Sequence, residues 1–326
     1  MSSPPHLVRG LGWVLVSVLC WVPLFPLAKR ALPIVDAFAL GSVRYSIGAA
    51  LFVALLVLLE GRQALRYEGR FLQAALYGVI GITGFNVLVW YGLNFTRPEH
   101  AAIIMGIQTP LTALAVWWTR GVRPAGFTLA CITLAFAGVL LVVTQGDPAR
   151  AFQGGALLGD LLVFLGALCW VTYTIASARF TSWSPIRFTV LTCLPGAVGL
   201  LAANAAALAA GGAVVPTAHA LGSIAWQIAY FAVGTVVLGV LGFNFSVKYL
   251  GPLNTMLMLN LVPVGVFVIE AALGRSFGAS EIAGAALVIG ALVANNLYLR
   301  RASARGCNPR AAPSPAPCRP GLAPQF

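Results

Sequence analysis

Residues 38–59 read FALGSVRYSIGAALFVALLVLL, an apolar run broken by one charge, Arg44. Because about 20 apolar helical residues cross the ~30 Å hydrocarbon core of a bilayer, this run predicts a membrane span. The whole chain is similar, with 60% hydrophobic and 9% charged residues, whereas soluble domains carry about 25% charged residues. So few charges cannot cover a water-facing surface, and the sequence therefore predicts an all-α membrane protein.

Charges, Pro and Gly divide the rest of the chain into further apolar runs of similar length. Short connections such as Arg30-Ala31-Leu32-Pro33 carry helix breakers between them. The sequence thus predicts ten transmembrane helices, at Leu11–Ala28, Phe38–Leu59, Phe71–Leu93, Ala101–Thr119, Phe127–Thr144, Ala156–Ala178, Ile186–Ala210, Ser223–Val247, Leu253–Leu273 and Ile282–Leu299.

An internal repeat relates the two halves of this series. Leu19-Cys20-Trp21 recurs as Leu168-Cys169-Trp170, and Pro110 in the fourth span matches Pro263 in the ninth. Landmarks in the same order over the same number of helices indicate duplication. We therefore predict a first five-helix repeat over residues 11–144 and a second over residues 156–299.

The odd number of helices per repeat has a mechanical consequence. Five crossings leave the chain on the opposite side, so the second repeat is expected to be inverted relative to the first. Inverted repeats with a solute site between them are typical of secondary transporters. A duplicated bundle with a purely structural role is the alternative.

Lys and Arg favour the side that holds both chain termini, as with Arg62, Arg66 and Arg70 in one connection. Because basic residues stay on the cytoplasmic side of a membrane, both termini are predicted to be cytoplasmic. Residues 300–326, rich in Pro, Ala and Arg, are predicted to form a disordered tail.

Several function classes lack support in this sequence. The net charge of +12 comes from basic residues scattered between apolar runs, so a nucleic-acid partner is not expected. The six cysteines contain no Cys-x-x-Cys pair and the three histidines are dispersed, which argues against a metal site. No nucleotide-binding or catalytic motif is present, so neither a cofactor nor enzymatic activity is expected.

The sequence resembles the EamA-type permeases of the drug/metabolite transporter superfamily. The resemblance rests on Leu19-Cys20-Trp21 followed by Lys29, on Arg44, and on the Pro-centred fourth and ninth spans, Pro110-Leu111-Thr112-Ala113 and Asn260-Leu261-Val262-Pro263-Val264. It implies a two-repeat carrier of the inner (cytoplasmic) membrane, often an exporter of amino acids or other metabolites. The glutamate that small multidrug members of the superfamily use in their first helix is absent between Leu11 and Leu27.

Ionisable residues inside spans are costly and are commonly functional. By the predicted topology, Arg44, His100, Asp160 and Glu270 all lie toward the outer side. We expect Arg44 to pair with Asp160 or Glu270 in an outer gate, and His100 or Glu270 to titrate if protons are coupled to transport. The alternative is that these groups only reach the interface.

Uncharged polar and aromatic residues from both halves supply the candidates for solute binding. Buried amides need hydrogen-bond partners, which a neighbouring helix or a polar solute can provide, and Trp can equally anchor an interface. These candidates are Trp21, Asn86, Tyr91, Gln108, Trp170, Tyr173, Asn244 and Asn260.

The sequence therefore predicts a secondary permease for a small metabolite, such as an amino acid or a drug-like amphipath, with export favoured by the resemblance alone. Its partners are the solute, the lipid bilayer and, in a coupled mechanism, protons. A flippase for lipid-linked substrates, a membrane-embedded enzyme and a non-transporting membrane protein are the alternatives.

Overall fold

A computed structural model describes residues 4–304 except 122, 145 and 148–155. Its helical segments follow one another as ten rods, α1 to α10. Those of the first half are α1 (Pro4–Trp21 and Leu24–Ala31), α2 (Ala37–Glu60), α3 (Phe71–Gly78, Val79–Gly84 and Phe85–Gly92), α4 (Pro98–Gly106 and Gln108–Arg120) and α5 (Gly126–Thr144).

The second half repeats this order. Its rods are α6 (Ala156–Ser177), α7 (Pro185–Ala209), α8 (Ala225–Ala229, Tyr230–Val240 and Leu241–Leu250), α9 (Pro252–Leu259 and Leu261–Ala272) and α10 (Ala279–Ala304). A short helix, Ala218–Ser223, precedes α8. Helix α10 continues into the stretch predicted as the tail, while residues 305–326 lie outside the described part of the chain.

Seven described helices are long and apolar enough to cross a membrane, and they lie in α1, α2, α3, α6, α7, α8 and α9. Shorter apolar helices fall within α5 and α10, over Gly126–Val142 and Ala279–Asn295. Leu58 and Leu72 expose about four-fifths of their surface, as expected where a helix faces lipid. The chain is thus a multi-pass membrane protein whose described part is all-helical, and crossing by all ten rods stays a prediction.

Proline explains where α4 and α9 are interrupted. Helix α4 breaks at Ile107, just before Gln108-Thr109-Pro110, and α9 breaks at Asn260, just before Leu261-Val262-Pro263. Because Pro lacks an N–H and its ring crowds the carbonyl four residues earlier, the α-helical hydrogen bonds cannot continue unchanged through these positions. The two breaks occupy the same place in the two halves.

A π-helical segment lies inside the third helix of each half, at Val79–Gly84 in α3 and Tyr230–Val240 in α8. Such segments are rare, and they often occur at functional sites because they shift the register of side chains along a helix. The sequence analysis did not predict them. Both face the region between the halves.

The two halves are interleaved. Helix α1 packs along α8, while α6, its counterpart in the second half, packs along α3. Helices α2 and α7 pair with each other, as do α5 and α10. One continuous apolar core joins most of the molecule, and the space between α1, α2, α3, α4, α6, α8 and α9 holds the site described next.

Candidate functional site

A central cavity lies between the two halves. Its volume is about 70 Å³, enough for a few water molecules in this conformation. It is lined by Trp21, Leu24, Phe25, Arg44, Tyr45, Phe85, Ala102, Met105, Gly106, Gln108, Trp170, Thr235, Val240, Leu259, Val262 and Pro263. Seven helices from both halves therefore meet at one mostly apolar space, and a solute of amino-acid size fits only if they part.

The repeat-related tryptophans meet in this cavity. Trp21 and Trp170 contact each other edge to face, with ring centroids 5.6 Å apart. Trp21 also donates its indole N–H to the carbonyl of Thr235 at 3.0 Å, and Trp170 packs against Phe85 at 5.1 Å. The duplicated Leu-Cys-Trp tripeptide thus places one aromatic residue from each half at the shared wall.

Arg44 contributes a charge to the same wall. It is 2% exposed, and its guanidinium donates to Asn86 Oδ1 and to Thr235 Oγ1, the latter at 3.3 Å. It also lies over the Trp90 ring, 3.9 Å from the centroid. The predicted pairing of Arg44 with Asp160 or Glu270 is therefore wrong, because Arg44 faces the centre of the bundle and uses neutral acceptors.

Close approach of glycine backbones makes room for the aromatic side chains at the π-helical segments. A Cβ on Gly239 would lie 2.3 Å from the indole nitrogen of Trp21, and a Cβ on Gly81 would lie 2.3 Å from Cβ of Tyr173. In each half, the first helix therefore inserts an aromatic side chain against the third helix of the other half.

A longer repeat, which was not among the features predicted from the sequence, underlies this arrangement. Gly81-x-x-Gly84-Phe85-Asn86-x-x-Val89-x-Tyr91 in α3 recurs as Gly239-x-x-Gly242-Phe243-Asn244-x-x-Val247-x-Tyr249 in α8. We call these two segments the GFN copies. Their shared spacing was the available signal for the π-helical sites.

Asn244 and Tyr173 form a second polar group, away from the lining of the central cavity. Asn244 Nδ2 donates to the Tyr173 hydroxyl at 3.1 Å and to Thr189 Oγ1 at 2.8 Å. Asn244 also lines a second cavity of about 260 Å³, with Phe180, Trp183 and Lys248. This cavity lies where α6 and α8 end and α7 begins, the side predicted to be cytoplasmic.

The other predicted binding residues divide between the cavity and its surroundings. Gln108 lines the central cavity at the break in α4. Asn260 lies at the break in α9 and accepts a hydrogen bond from Thr109 at 3.4 Å. Tyr91 lies on a more exposed face of α3, against Phe38 and Phe95.

An ionic cluster lies at the opposite end of the bundle from the second cavity. His100 lies between Asp160 and Glu281, with nitrogen–oxygen distances of 3.8 and 3.5 Å. Thr96 donates to Asp160 at 2.5 Å. These contacts connect the start of α4 to α6 and α10, and they bring His100 and Asp160 together with Glu281, which was not among the predicted site residues.

Two arginines complete the ionic cluster. Arg275 pairs with the fully buried Glu99 and, at 3.3 Å, with Glu281. Arg97 contacts Glu281 at 3.2 Å. Glu270 is partly buried on α9, close enough to Glu99 for charge repulsion. The cluster thus joins α4, α6, α10 and the connection before α10 through both signs of charge.

Lys29 links α1 to the end of α3, at the same end of the bundle as the ionic cluster. Its ammonium donates to the carbonyls of Leu93, Asn94 and Thr96 at 2.5, 3.1 and 2.8 Å. These carbonyls follow the end of α3, where a positive charge complements the helix dipole. The family-like Lys29 therefore has a concrete contact in the described structure.

The sequence predicted no metal site, but three potential metal ligands, Glu99, His100 and Glu281, lie close together in the ionic cluster. Their potential ligand atoms lie within 4.8 Å of one another. However, Arg275 already pairs with both carboxylates. A cation would have to displace this arginine, so the donor set suits an ion-pair network better than a metal.

On the side predicted to be cytoplasmic, the connection between α2 and α3 is held against the start of α7. Arg187 pairs with Glu68 at 2.8 Å, and Trp183 donates its indole N–H to Glu68 at 3.1 Å. The hydrogen bonds from Arg187 and then Trp183 lower the pKa of Glu68 below its ordinary value. Both ends of the bundle therefore carry polar contacts, but only the ionic cluster is deeply buried.

Comparison with known proteins agrees with this architecture. The model of the EamA-like transporter family matches residues 8–144 and 157–297. The uncharacterized transporter YrdR of Bacillus subtilis is 31% identical over 300 residues, 91% of this chain and 94% of YrdR. The uncharacterized transporter YyaM of the same species is 33% identical over 276 residues, covering 84% of this chain and 89% of YyaM.

A solved structure shares the fold. A crystal structure described only as that of a protein superposes with a TM-score of 0.63, at 21% identity, covering 90% of this chain and 98% of its own. The duplicated family match and the relatives, taken with the paired Trp and GFN copies, lead to one conclusion. The chain belongs to the EamA-like transporter family.

Proposed function

We propose that the chain is a secondary permease that moves a small solute by alternating access between two inverted repeats. The observation that carries this proposal is the central cavity, to which both halves contribute equivalent residues, Trp21 and Trp170. Carriers built from inverted repeats bind solute at such a place. The sequence contains no nucleotide-binding motif, so the driving force is a solute or ion gradient.

The ionic cluster is the proposed outer gate. It joins α4, α6 and α10 beyond the central cavity, and its buried members are Glu99, His100, Asp160 and Glu281. Buried ion pairs hold geometry strongly while both partners are present, yet they separate at modest net cost when water enters. Such a contact suits a gate that opens and closes.

Proton coupling is proposed through His100. Its two ring nitrogens face Asp160 and Glu281, and imidazole is a side chain that can gain and lose a proton. Protonation would add a positive charge between two carboxylates and tighten the gate. Loss of the proton would weaken it, which links outer opening to pH.

Export across the inner membrane, with both termini cytoplasmic, completes the proposal. The direction rests on the family resemblance, and the orientation rests on the distribution of Lys and Arg. The Pro-linked breaks in α4 and α9 border the central cavity and are the proposed bending points. A solute held beside Gln108 would contact α4 next to its break.

The test is solute counterflow in proteoliposomes. The purified chain is expected to give saturable exchange of at least one compound from a labelled panel of amino acids, organic anions and cations, and a pH gradient is expected to change its rate. Trp170→Ala is expected to reduce exchange at least tenfold. The matched control, Trp118→Ala, alters a side chain that is 91% exposed and is expected to leave exchange unchanged.

Two outcomes contradict the proposal. Absence of saturable exchange for the whole panel, with normally folded protein, argues against a permease for small solutes. Movement of a fluorescent phospholipid between leaflets in those vesicles would instead favour the flippase alternative.

A further inference from the structure

The charge on the wall of the central cavity is positive and lacks a carboxylate partner in the described contacts. Arg44 lies inside α2, and its hydrogen bonds go to the neutral oxygens of Asn86 and Thr235. Its Nε is buried without a hydrogen-bond partner. The guanidinium therefore keeps both its net charge and an unused donor at the cavity.

The cost of this arrangement is large in a membrane interior. An ionised group in a low-dielectric environment is stabilised by an opposite charge or by water. The rings of Trp90 and Tyr45, with centroids 3.9 and 5.0 Å from the guanidinium carbon, offset only part of that cost. An anion entering the cavity would supply the missing charge.

The other residues of the cavity wall indicate which kind of anion fits. Its residues are mainly apolar or aromatic, including Trp21, Phe25, Phe85, Trp170 and Leu259, with Gln108 as an uncharged polar exception. The described wall contains no carboxylate to receive an ammonium group. A cation would meet repulsion from Arg44, and a zwitterion would leave its ammonium without an ionic partner.

We propose that the central cavity binds a small organic monoanion, with Arg44 contacting its acidic group and the aromatic wall contacting its apolar body. This inference rests on the proposed permease function and names its substrate class. Arg is suited to the role because its planar guanidinium bonds two oxygens of an acidic group at once.

The test compares three probes that share a benzyl group but differ in charge. Phenylmethanesulfonate is a permanent anion that does not leak through lipid as a neutral acid, benzyltrimethylammonium is a permanent cation, and L-phenylalanine is a zwitterion. Calorimetry on the full chain in detergent is expected to give measurable binding of the sulfonate, at least tenfold weaker binding of phenylalanine, and none of the cation. Equal or tighter binding of the cation or phenylalanine overturns the proposal, as does absence of sulfonate binding.

Variants then locate the site. Arg44→Gln is expected to weaken sulfonate binding at least tenfold, while Arg44→Lys, which keeps the charge but loses the planar fork, retains part of it. The exposed Arg62→Gln removes the same charge at the surface and is expected to change nothing. Unchanged sulfonate affinity in a folded Arg44→Gln protein overturns the role of Arg44. If that variant does not fold, the comparison of the three probes on the unmodified protein still tests the proposal.

Transport separates this inference from the permease function. Phenylmethanesulfonate that binds and also exchanges across proteoliposomes supports both. Binding without exchange of any solute upholds the anion site and contradicts the permease. Saturable exchange of cations alone upholds the permease and contradicts the anion site.

Discussion

The two GFN copies have the same sequence pattern but use their asparagines in opposite ways. Asn86 accepts a hydrogen bond from the guanidinium of Arg44 and donates to its own helix at Ile82. Asn244 donates to two hydroxyls, those of Tyr173 and Thr189. The first copy therefore holds a charge beside the central cavity, while the second holds a neutral network beside the second cavity.

This difference teaches how a duplicated scaffold becomes asymmetric. Each Asn lies about six residues before the end of its helix, roughly 9 Å along the axis. The backbone thus places the two amides equivalently, and the neighbouring α2 or α7 decides their chemistry. Arg44 lies on α2, whereas Thr189 lies on α7.

The largest expected effect comes from removing the acceptor at the charged copy. Asn86→Leu should destabilise the protein by about 3 kcal/mol, because it leaves a buried guanidinium short of a partner. Asn244→Leu should cost about 1 kcal/mol, since its partners are neutral hydroxyls. Unfolding midpoints in detergent measure both, and equal shifts would break the comparison.

The next largest loss of stability is expected from crowding the π-helical segments with a larger side chain. Gly81→Ala should cost about 1–3 kcal/mol because its new Cβ meets Tyr173 at the start of that side chain. Gly239→Ala should cost less, since it meets the indole ring of Trp21, which lies farther from its own backbone than Cβ of Tyr173 does. Gly12→Ala, with nothing within 4 Å of the added Cβ, serves as the control; destabilisation there equal to that of Gly81→Ala would contradict the packing account.

A third comparison sets the ionic cluster against the contacts at the opposite end of the bundle. Glu281→Gln weakens contacts with Arg97, Arg275 and His100, so the proposed outer gate should open more often. A cysteine placed at Ala102 should then react several-fold faster with an impermeant maleimide added outside. Glu60→Gln makes the same charge change at the other end and should leave that rate as it was; slower labelling in Glu281→Gln would argue against the gate.

The smallest effect is the pH dependence of stability at Glu68, at the end of the bundle opposite the ionic cluster. Arg187 and Trp183 lower the pKa of Glu68, so its stabilising contribution is present above the ordinary Glu pKa of about 4.5 and is lost as pH falls through the lower value. The difference in unfolding midpoint between the unmodified chain and Glu68→Gln should therefore shrink as pH falls from 7 toward 3. Because Glu68 is exposed, the difference should stay small; one that grows on acidification would reverse the assigned sign.

The sequence by itself determined the membrane class, the duplication and the family. Hydrophobic run length depends only on local composition, so spans such as Phe38–Leu59 were readable directly, and the EamA resemblance is confirmed by the family match to both repeats. Trp21, Trp170, Gln108 and Arg44 were also among the predicted site residues that line the central cavity. Their common feature is a polar or aromatic side chain in an otherwise apolar helix.

Only the tertiary structure decided which of these side chains meet. Arg44, His100 and Asp160 were all expected toward the outer side, but packing directs Arg44 to the cavity and the other two to the ionic cluster. Span length fixes depth along a helix and leaves rotation open, because rotation depends on contacts with helices far away in sequence. The exchange of aromatic residues between α1 and α8, and between α6 and α3, has the same origin.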